Sequence, residues 1–568
     1  MKILILSSAF SGLTQRVVRE LTLLGHKLDQ HYDLDEYRLI DQVAAFNPDL
    51  IICPFLTQRI PEDVWKQYLC LVVHPGVEGD RGPSSLDWAI SGNLDEWGVT
   101  LLQADAEMDA GDIWGTKNFP LRQASKTSIY KREVSTAAVE LIKQALRNFE
   151  DRRFSPRPLD YSDSKVQGKL QPMMRQADRE IDWSRDSAQA IVNKINAACT
   201  NPGLRDAING VEVNLYGANI AARSNGSPGE FLAIHKGACC RAAVDGTVWI
   251  RQMKCRDHSE LPPIKLPSST VLGKILEESF LSQLGSGENY NEVEEIRIER
   301  QGDTAYVYFN FYNGAANTEQ CMELRDRLVA LKASDVKYIV YMGGEDFWSN
   351  GIHLNCIEAA EDPAKESWRN INAINNVVRE IIDSPKQMTV AALRNNAGAG
   401  GAIMALACDE VIIRDGVVLN PHYKSMGLYG SEYWTYLLPR RIGAKTAEKI
   451  MNECQPMLAA EALELGMVDK MFEEDWETFH TRLREHCKKL GARGGLDKFL
   501  KAKAQQRKKD EAKKPLEAYR NEELGYMKRI FDDPAAVYHS ERKAFVYKEK
   551  RKSDKKKPFG AIQIAKIA

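Results

Sequence analysis

His74 stands between the apolar run Leu69–Val73 and Pro75-Gly76, and Asp112 follows Gly111 in a later loop. An imidazole and a carboxylate at strand ends suit acyl transfer through a tetrahedral intermediate: one steadies the oxyanion, the other handles the proton of the attacking nucleophile. A second set lies far downstream, in Ser349-Asn350-Gly351-Ile352 and Gly398-Ala399-Gly400-Gly401. Glycines there let backbone N–H groups approach a ligand closely. Two such donors on one carbonyl oxygen, one of them at a helix N-terminus, would polarise a thioester. Neither motif suffices alone, because a His before Pro-Gly also serves turns and a Gly-rich stretch also serves tight strand-to-helix connections.

The elements that must position these groups follow from periodicity. Over the first 149 or so residues, short apolar runs (Lys2–Leu6, Leu50–Cys53, Leu69–Val73) alternate with amphipathic stretches (Gln15–Leu24, Ser135–Arg147), which predicts a parallel sheet with crossover helices. From Asp160 to Leu272 one helical stretch, Ser187–Ala198, precedes short alternating runs such as Val211–Leu215 and Val248–Ile250, the pattern of a small β-barrel. Leu281–Asn291 reads as a linker. Strands and helices then recur: Glu295–Glu299, Ala305–Phe311, helix Thr318–Leu331, Lys337–Met342, helix Lys365–Ile382, Met388–Leu393 and Glu410–Ile413, with an almost wholly helical end from Glu461. The expected architecture is α/β and multidomain: a Rossmann-like domain over 1–160, a small OB-like β-barrel over 161–273, a linker over 274–292 and a third domain over 293–568.

A chain of 568 residues exceeds one hydrophobic core. With 43% hydrophobic and 27% charged residues it has an ordinary globular composition, and a net charge of -2 gives no global attraction for nucleic acid. The apolar start stops at Ser7-Ser8 without a cleavage-site pattern, so a buried first strand is expected, and no stretch approaches the roughly 20 apolar residues of a membrane span. Eleven scattered cysteines without a C-x-x-C pair point to reduced thiols, a cytoplasmic location and no metal site.

The run Val73-His74-Pro75-Gly76 through Arg81-Gly82-Pro83-Ser84-Ser85-Leu86-Asp87-Trp88, with Gly98-Val99-Thr100 and Met108-Asp109-Ala110-Gly111-Asp112-Ile113, resembles the 10-formyltetrahydrofolate-dependent formyltransferases. The resemblance implies catalytic roles for His74 and Asp112, and a folate pocket bordered by Pro54, Phe55 and Leu56 with Arg81 nearby. Ile181-Asp182-Trp183-Ser184 and Asn209–Val213 are similar to the C-terminal module of methionyl-tRNA formyltransferase. Where that family carries an Asn two residues before its His, this chain has Val72, so either another donor compensates or the site is retuned for a different acceptor. A thiol, more nucleophilic than an amine, fits a retuned site.

The second set, with Ala407-Cys408-Asp409, Leu438–Gly443, Ala460–Val468 and Ala544–Arg551, resembles the enoyl-CoA hydratase/isomerase (crotonase) family. The resemblance implies coenzyme A as cofactor, oxyanion N–H groups at Ile352 and Gly400, and CoA-side residues Gly314, Ala315, Ser349, Gly351 and Gly401. The hydratase carboxylate positions hold Ile403 and Tyr423, which argues against hydration. Tyr423, Tyr429 and Glu432 are the candidates for proton handling, and aromatic packing beside a solvated Glu is the competing reading. The basic clusters Lys501–Lys514 and Lys548–Lys557 read as solvated helix faces or as contacts for CoA phosphates.

Both machines in this order resemble the HypX/HoxX-type hydrogenase maturation factors. That resemblance implies folate and CoA as substrates, carbon monoxide made from a folate-borne formyl group for the NiFe-hydrogenase site, and hydrogenase-assembly proteins holding the iron as partners. A formyl-donor site and a thioester site share one product, formyl-CoA. It has no α-carbon to deprotonate, so enolate chemistry is unavailable and decarbonylation is the outcome left. Formyl-CoA as end product, hydration or isomerisation of a longer acyl-CoA, and a non-catalytic CoA-binding scaffold are the alternatives.

Overall fold

The computed structural model describes residues 1–32, 36–151, 153–221, 226–285, 293–492 and 495–549. Two compact units meet in sequence between Val293 and Glu294. The expected linker falls partly on 286–292, outside the described residues; before it, a short helix spans Glu278–Leu281 and Gly285 bridges Ala233.

In the first unit, strands β1 (Lys2–Ser7), β2 (Lys27–His31), β3 (Leu50–Phe55), β4 (Cys70–His74), β5 (Glu96–Gln103) and β6 (Ile113–Pro120) form one sheet in the order β2-β1-β3-β4-β5-β6. Side chains alternate between two cores, Ile3 and Ile5 on one face, Leu4 and Leu6 on the other, so the N-terminal strand is buried on both sides. Helix Gly12–Leu23 starts where Ser11 accepts the Thr14 N–H, and helix Ser135–Glu150 contributes Leu141 and Ile142 to the same core as Ile3. The expected parallel order holds for β1 to β4, but β5 and β6 run antiparallel. The connection from Gln103 to Ile113 has no helix and is shorter than the dozen or so residues a parallel crossover needs.

Downstream, helix Ala188–Ala197 precedes β7 (Leu204–Ile208), β8 (Val211–Ala221), β9 (Phe231–His235), β10 (Ala238–Ala242), β11 (Thr247–Cys255) and β12 (Lys265–Pro267). All pair antiparallel in the order β7-β8-β11-β10-β9, with β12 also on β11. Asn209 and Gly210 both take positive φ, as the tight hairpin turn between β7 and β8 requires.

The second unit is built on β13 (Ile296–Gln301), β14 (Thr304–Phe309), β16 (Tyr338–Gly343), β18 (Met388–Leu393), β20 (Glu410–Arg414) and β23 (Lys470–Phe472), in that order and parallel from β14 onward. Two small sheets stand beside it: β15 (Ala315–Ala316) with β17 (Gly351–Ile352), and β19 (Ala397–Gly398) with β21 (Val418–Asn420) and β22 (Met457–Leu458). Helices Thr318–Ala333 and Pro363–Ile382 supply one core, helix Trp476–Ala492 the other. The helical end also holds Leu496–Lys513, Leu516–Asp532 and Val537–Tyr547. Residues 550–557 of the second basic cluster lie outside the described residues. Among the described residues no helix is long and apolar enough to cross a membrane.

Candidate active sites

In the first unit β4 ends on His74, which is 4% exposed, and the Pro75-Gly76 turn that follows is tied down by side chains. Ser85 Oγ and Trp97 Nε1 donate to the Pro75 carbonyl at 2.7 and 2.9 Å, and Thr100 Oγ1 donates to the Gly76 carbonyl at 2.9 Å. The imidazole lies between two carboxylates: Nε2 is 2.8 Å from Asp80 Oδ2, and Nδ1 is 3.5 Å from Asp109 Oδ2. Asp109 also accepts the Gly82 N–H at 3.1 Å. A Cβ on Gly76 would fall 2.4 Å from Asp80 Oδ2 and 2.5 Å from His74 Nε2, which is why this position needs glycine. Burial opposes the charged imidazole, but the Asp80 hydrogen bond and the charges of Asp109 and Asp80 outweigh it and hold His74 above its ordinary value.

Asp112, expected from sequence to serve His74, is instead exposed, with its backbone carbonyl accepting the Gln103 N–H. The carboxylate of that loop that reaches the ring is Asp109, whose φ of 56° turns the chain within the loop. Sequence missed Asp80 as well, although it lies in the same loop as Gly76. Arg81 is used within the protein: Nε donates to the Met108 carbonyl at 3.0 Å and Nη2 pairs with Glu107, which joins the loops of Asp80 and Asp109. Pro54 is buried; Phe55 and Leu56 are half-buried, Phe55 edge-on to Tyr130 and Leu56 against the core of Leu4 and Val64. Val72 packs on that same core.

In the second unit the glycine motifs meet. Gly398 N donates to the Ser349 carbonyl, and a Cβ on Gly401 would fall 2.1 Å from that oxygen. A Cβ on Gly351, at φ 78°, would be 3.3 Å from Gly400 N. Strand β17 pairs with β15, so Ala315 lies opposite Gly351, and Asn350 N donates to the Gly314 carbonyl. Gly400 opens helix Gly400–Ala405, where N–H groups lack intrahelical partners. Ile352 is half-buried, and its neighbour His353 is buried with burial pulling its imidazole down to about 4, so that it is neutral.

Glu432 is 1% exposed and lies against Gly400: a Cβ there would fall 2.2 Å from Glu432 Oε1. Tyr423 Oη and Ser431 Oγ donate to the other oxygen, Oε2, at 2.6 and 2.7 Å. Burial pushes the Glu432 carboxyl above the usual carboxylate range against these hydrogen bonds. Burial and the Glu432 charge likewise hold the Tyr423 phenol well above its ordinary value. The solvated-Glu reading is thereby excluded. Tyr429 fits the packing reading instead, stacked on Tyr526 at 4.3 Å and tilted against Trp434. Ile403 is a core residue. In the first basic cluster, Lys503 pairs with Asp409, Arg507 with Glu511 and Lys514 with Glu522, which ties those three to the protein's own carboxylates.

Comparison with known proteins assigns a family to each of the two units. Residues 20–146 match the model described as Formyl transferase, 173–264 that described as Formyl transferase, C-terminal domain, and 307–557 that described as Enoyl-CoA hydratase/isomerase. A methionyl-tRNA formyltransferase of Citrifermentans bemidjiense is 28% identical over 245 residues, covering 41% of this chain and 75% of its own. The molecule is therefore a formyltransferase module joined to a crotonase-type module. Hydrogenase maturation factor HoxX of Bradyrhizobium diazoefficiens is 43% identical over 552 residues, 96% of this chain and 95% of that one. The crystal structure of HypX from Aquifex aeolicus in complex with tetrahydrofolic acid superposes with a TM-score of 0.90 at 41% identity, covering 96% of each chain. This chain belongs to the HypX/HoxX family of hydrogenase maturation factors.

Proposed function

We propose that the chain makes carbon monoxide for the iron of a NiFe-hydrogenase in two steps, with 10-formyltetrahydrofolate and coenzyme A as substrates. In the first unit the CoA sulfur attacks the formyl carbon. The C–S bond forms, the bond from that carbon to the folate nitrogen breaks, and the thiol proton ends on that nitrogen. His74, its charged form favoured by Asp80 and Asp109, steadies the oxyanion, and Asp109 takes the role first expected of Asp112. The tetrahydrofolate bound by the Aquifex HypX supports a folate site here. Pro54, Phe55 and Leu56 are proposed to border it.

In the second unit the formyl-CoA oxygen is held by the N–H groups of Ile352 and Gly400. Glu432 Oε1 accepts the formyl proton as the C–S bond breaks, and the proton passes to the departing sulfur, giving carbon monoxide and free CoA. No oxidant or reductant is required. Gly314, Ala315, Ser349, Gly351 and Gly401 shape the thioester end. One observation carries the reading: both hydroxyl donors crowd Glu432 Oε2, leaving Oε1 turned to the backbone of Gly400. A carboxyl raised by burial above the usual carboxylate range is suited to taking and returning one proton.

Gas-phase detection of carbon monoxide from 10-formyltetrahydrofolate and CoA tests the reading. Carbon monoxide in step with released tetrahydrofolate is expected. Formyl-CoA as the sole end product, or turnover of crotonyl-CoA, would overturn it.

A further inference from the structure

We infer that Glu523 is a positioning residue of the second site: from helix Leu516–Asp532 its carboxyl group holds the Glu432-Tyr433 turn in the conformation that aims Glu432 at Gly400. The inference rests on the reading of Glu432 as the group that moves the proton. Glu432 and Tyr433 have φ of 62° and 61°, two consecutive left-handed residues that both carry side chains. Such backbone is unfavourable for L-residues and persists only where its surroundings over-determine it. Replacing either by glycine is no option for the chain, since one supplies the carboxylate and the other is a fully buried ring.

The over-determination is visible donor by donor. Glu432 N donates to Asn375 Oδ1 at 3.2 Å, Tyr433 N to Glu523 Oε2 at 2.9 Å and Thr435 N to Glu523 Oε1 at 2.8 Å, with Thr435 Oγ1 on the same oxygen. Helix Trp434–Ile442 has no side-chain cap from its own N-terminus, so Glu523, 90 residues from Tyr433, is that cap. Acceptance of two backbone N–H groups satisfies donors that a helix N-terminus leaves without intrahelical partners. Glu432 has little room to drift, because Oε1 already fills the space a Cβ on Gly400 would need. A misplacement of about 1 Å can cost on the order of a hundredfold in rate.

Glu523 is 0% exposed, and burial together with the like charge of Glu432 pushes it up to about 8, against the donors from Thr435 and Tyr433, so near neutral pH it holds the turn mainly as a neutral carboxyl. The other groups facing Glu432 are Tyr423, Ser431 and the Cys321 thiol; Arg379 and Arg520 stand against Tyr433. Removing one of the two acceptor oxygens of Glu523 should therefore loosen the turn.

The test uses the full chain with supplied formyl-CoA. Glu523→Gln places an amide opposite at least one of the N–H donors, and is expected to lower kcat for carbon monoxide release about a hundredfold with KM nearly unchanged. Glu523→Asp keeps the carboxyl but falls short of the donors, so kcat should drop there as well. A wild-type kcat in Glu523→Gln would overturn the inference. If that variant does not fold, as judged by its melting curve, Glu523→Asp decides alone, a wild-type kcat being the overturning result. Glu432→Gln, run in parallel, separates the layers: if it still releases carbon monoxide, the underlying reading fails, whereas its loss beside an unaffected Glu523→Gln removes only the positioning role.

Discussion

The first site is assembled from neighbours in sequence and the second from distant segments. His74, Asp80, Gly82, Thr100 and Asp109 lie within one strand, its exit loop and the next hairpin, and they put an imidazole between two carboxylates that favour its charged form. Glu432 reaches Gly400 through a strained turn whose N–H groups are accepted by Asn375 and Glu523, and its own partners are neutral hydroxyls. One site thus stabilises charge and the other suppresses it. That contrast suits a first step that develops an oxyanion and a second that takes up and returns a proton.

The sharpest way to break this division is a pair of crossed substitutions. Glu432→Gln should lower carbon monoxide release from formyl-CoA by ~10²–10⁴ while tetrahydrofolate release persists, and His74→Ala should do the reverse. Equal loss of both activities in either variant would remove the division of labour. A smaller contrast lies inside the first site. Asp109→Asn should slow tetrahydrofolate release by ~10² or more, whereas Asp112→Asn should leave it near wild type. The opposite order would return the catalytic role to Asp112.

How far these residues were legible from sequence follows the same divide. Strand β4 ending on His74 and the glycine motifs around Gly351 and Gly400 stand where periodicity and spacing put them, because each is set by local apolar pattern or by close backbone approach, whereas the first helix starts at Gly12, three residues before the expected Gln15, where Ser11 caps it. Asp109 and Asp112 share one motif and one residue type, and which carboxylate of a tight loop turns towards His74 depends on one φ angle. The antiparallel β5 and β6 were missed because apolar runs do not encode strand direction. Glu523 left no trace at all: a cap supplied from another helix has no local signature.

Stability should separate the units more finely. Gly76→Ala forces a Cβ between His74 and Asp80, and should cost about 1–3 kcal/mol in urea unfolding of the first unit, the usual penalty of overpacking. Gly400→Ala meets Glu432 in the same way in the second. Unfolding as easy as in the wild type for both would show that the pairs are looser than described.

The smallest effects are those of pH, and their windows differ. Glu523 is raised when folded, so its protonated form favours the native state, and that contribution is lost as pH climbs from about 4.5 through about 8. His74 is also raised, but from 6.5, so the first unit loses its contribution only as pH rises above that value. Melting curves across this range should show the second unit weakening first, and Glu523→Gln should flatten its slope.

If formyl-CoA passes from one chemistry to the other, Glu432→Gln should trap it. With formyl-labelled 10-formyltetrahydrofolate and CoA, the wild type should release labelled carbon monoxide, and the variant should accumulate labelled formyl-CoA in step with tetrahydrofolate. Labelled carbon monoxide from the variant at the wild-type rate, or none from the wild type, would contradict the account.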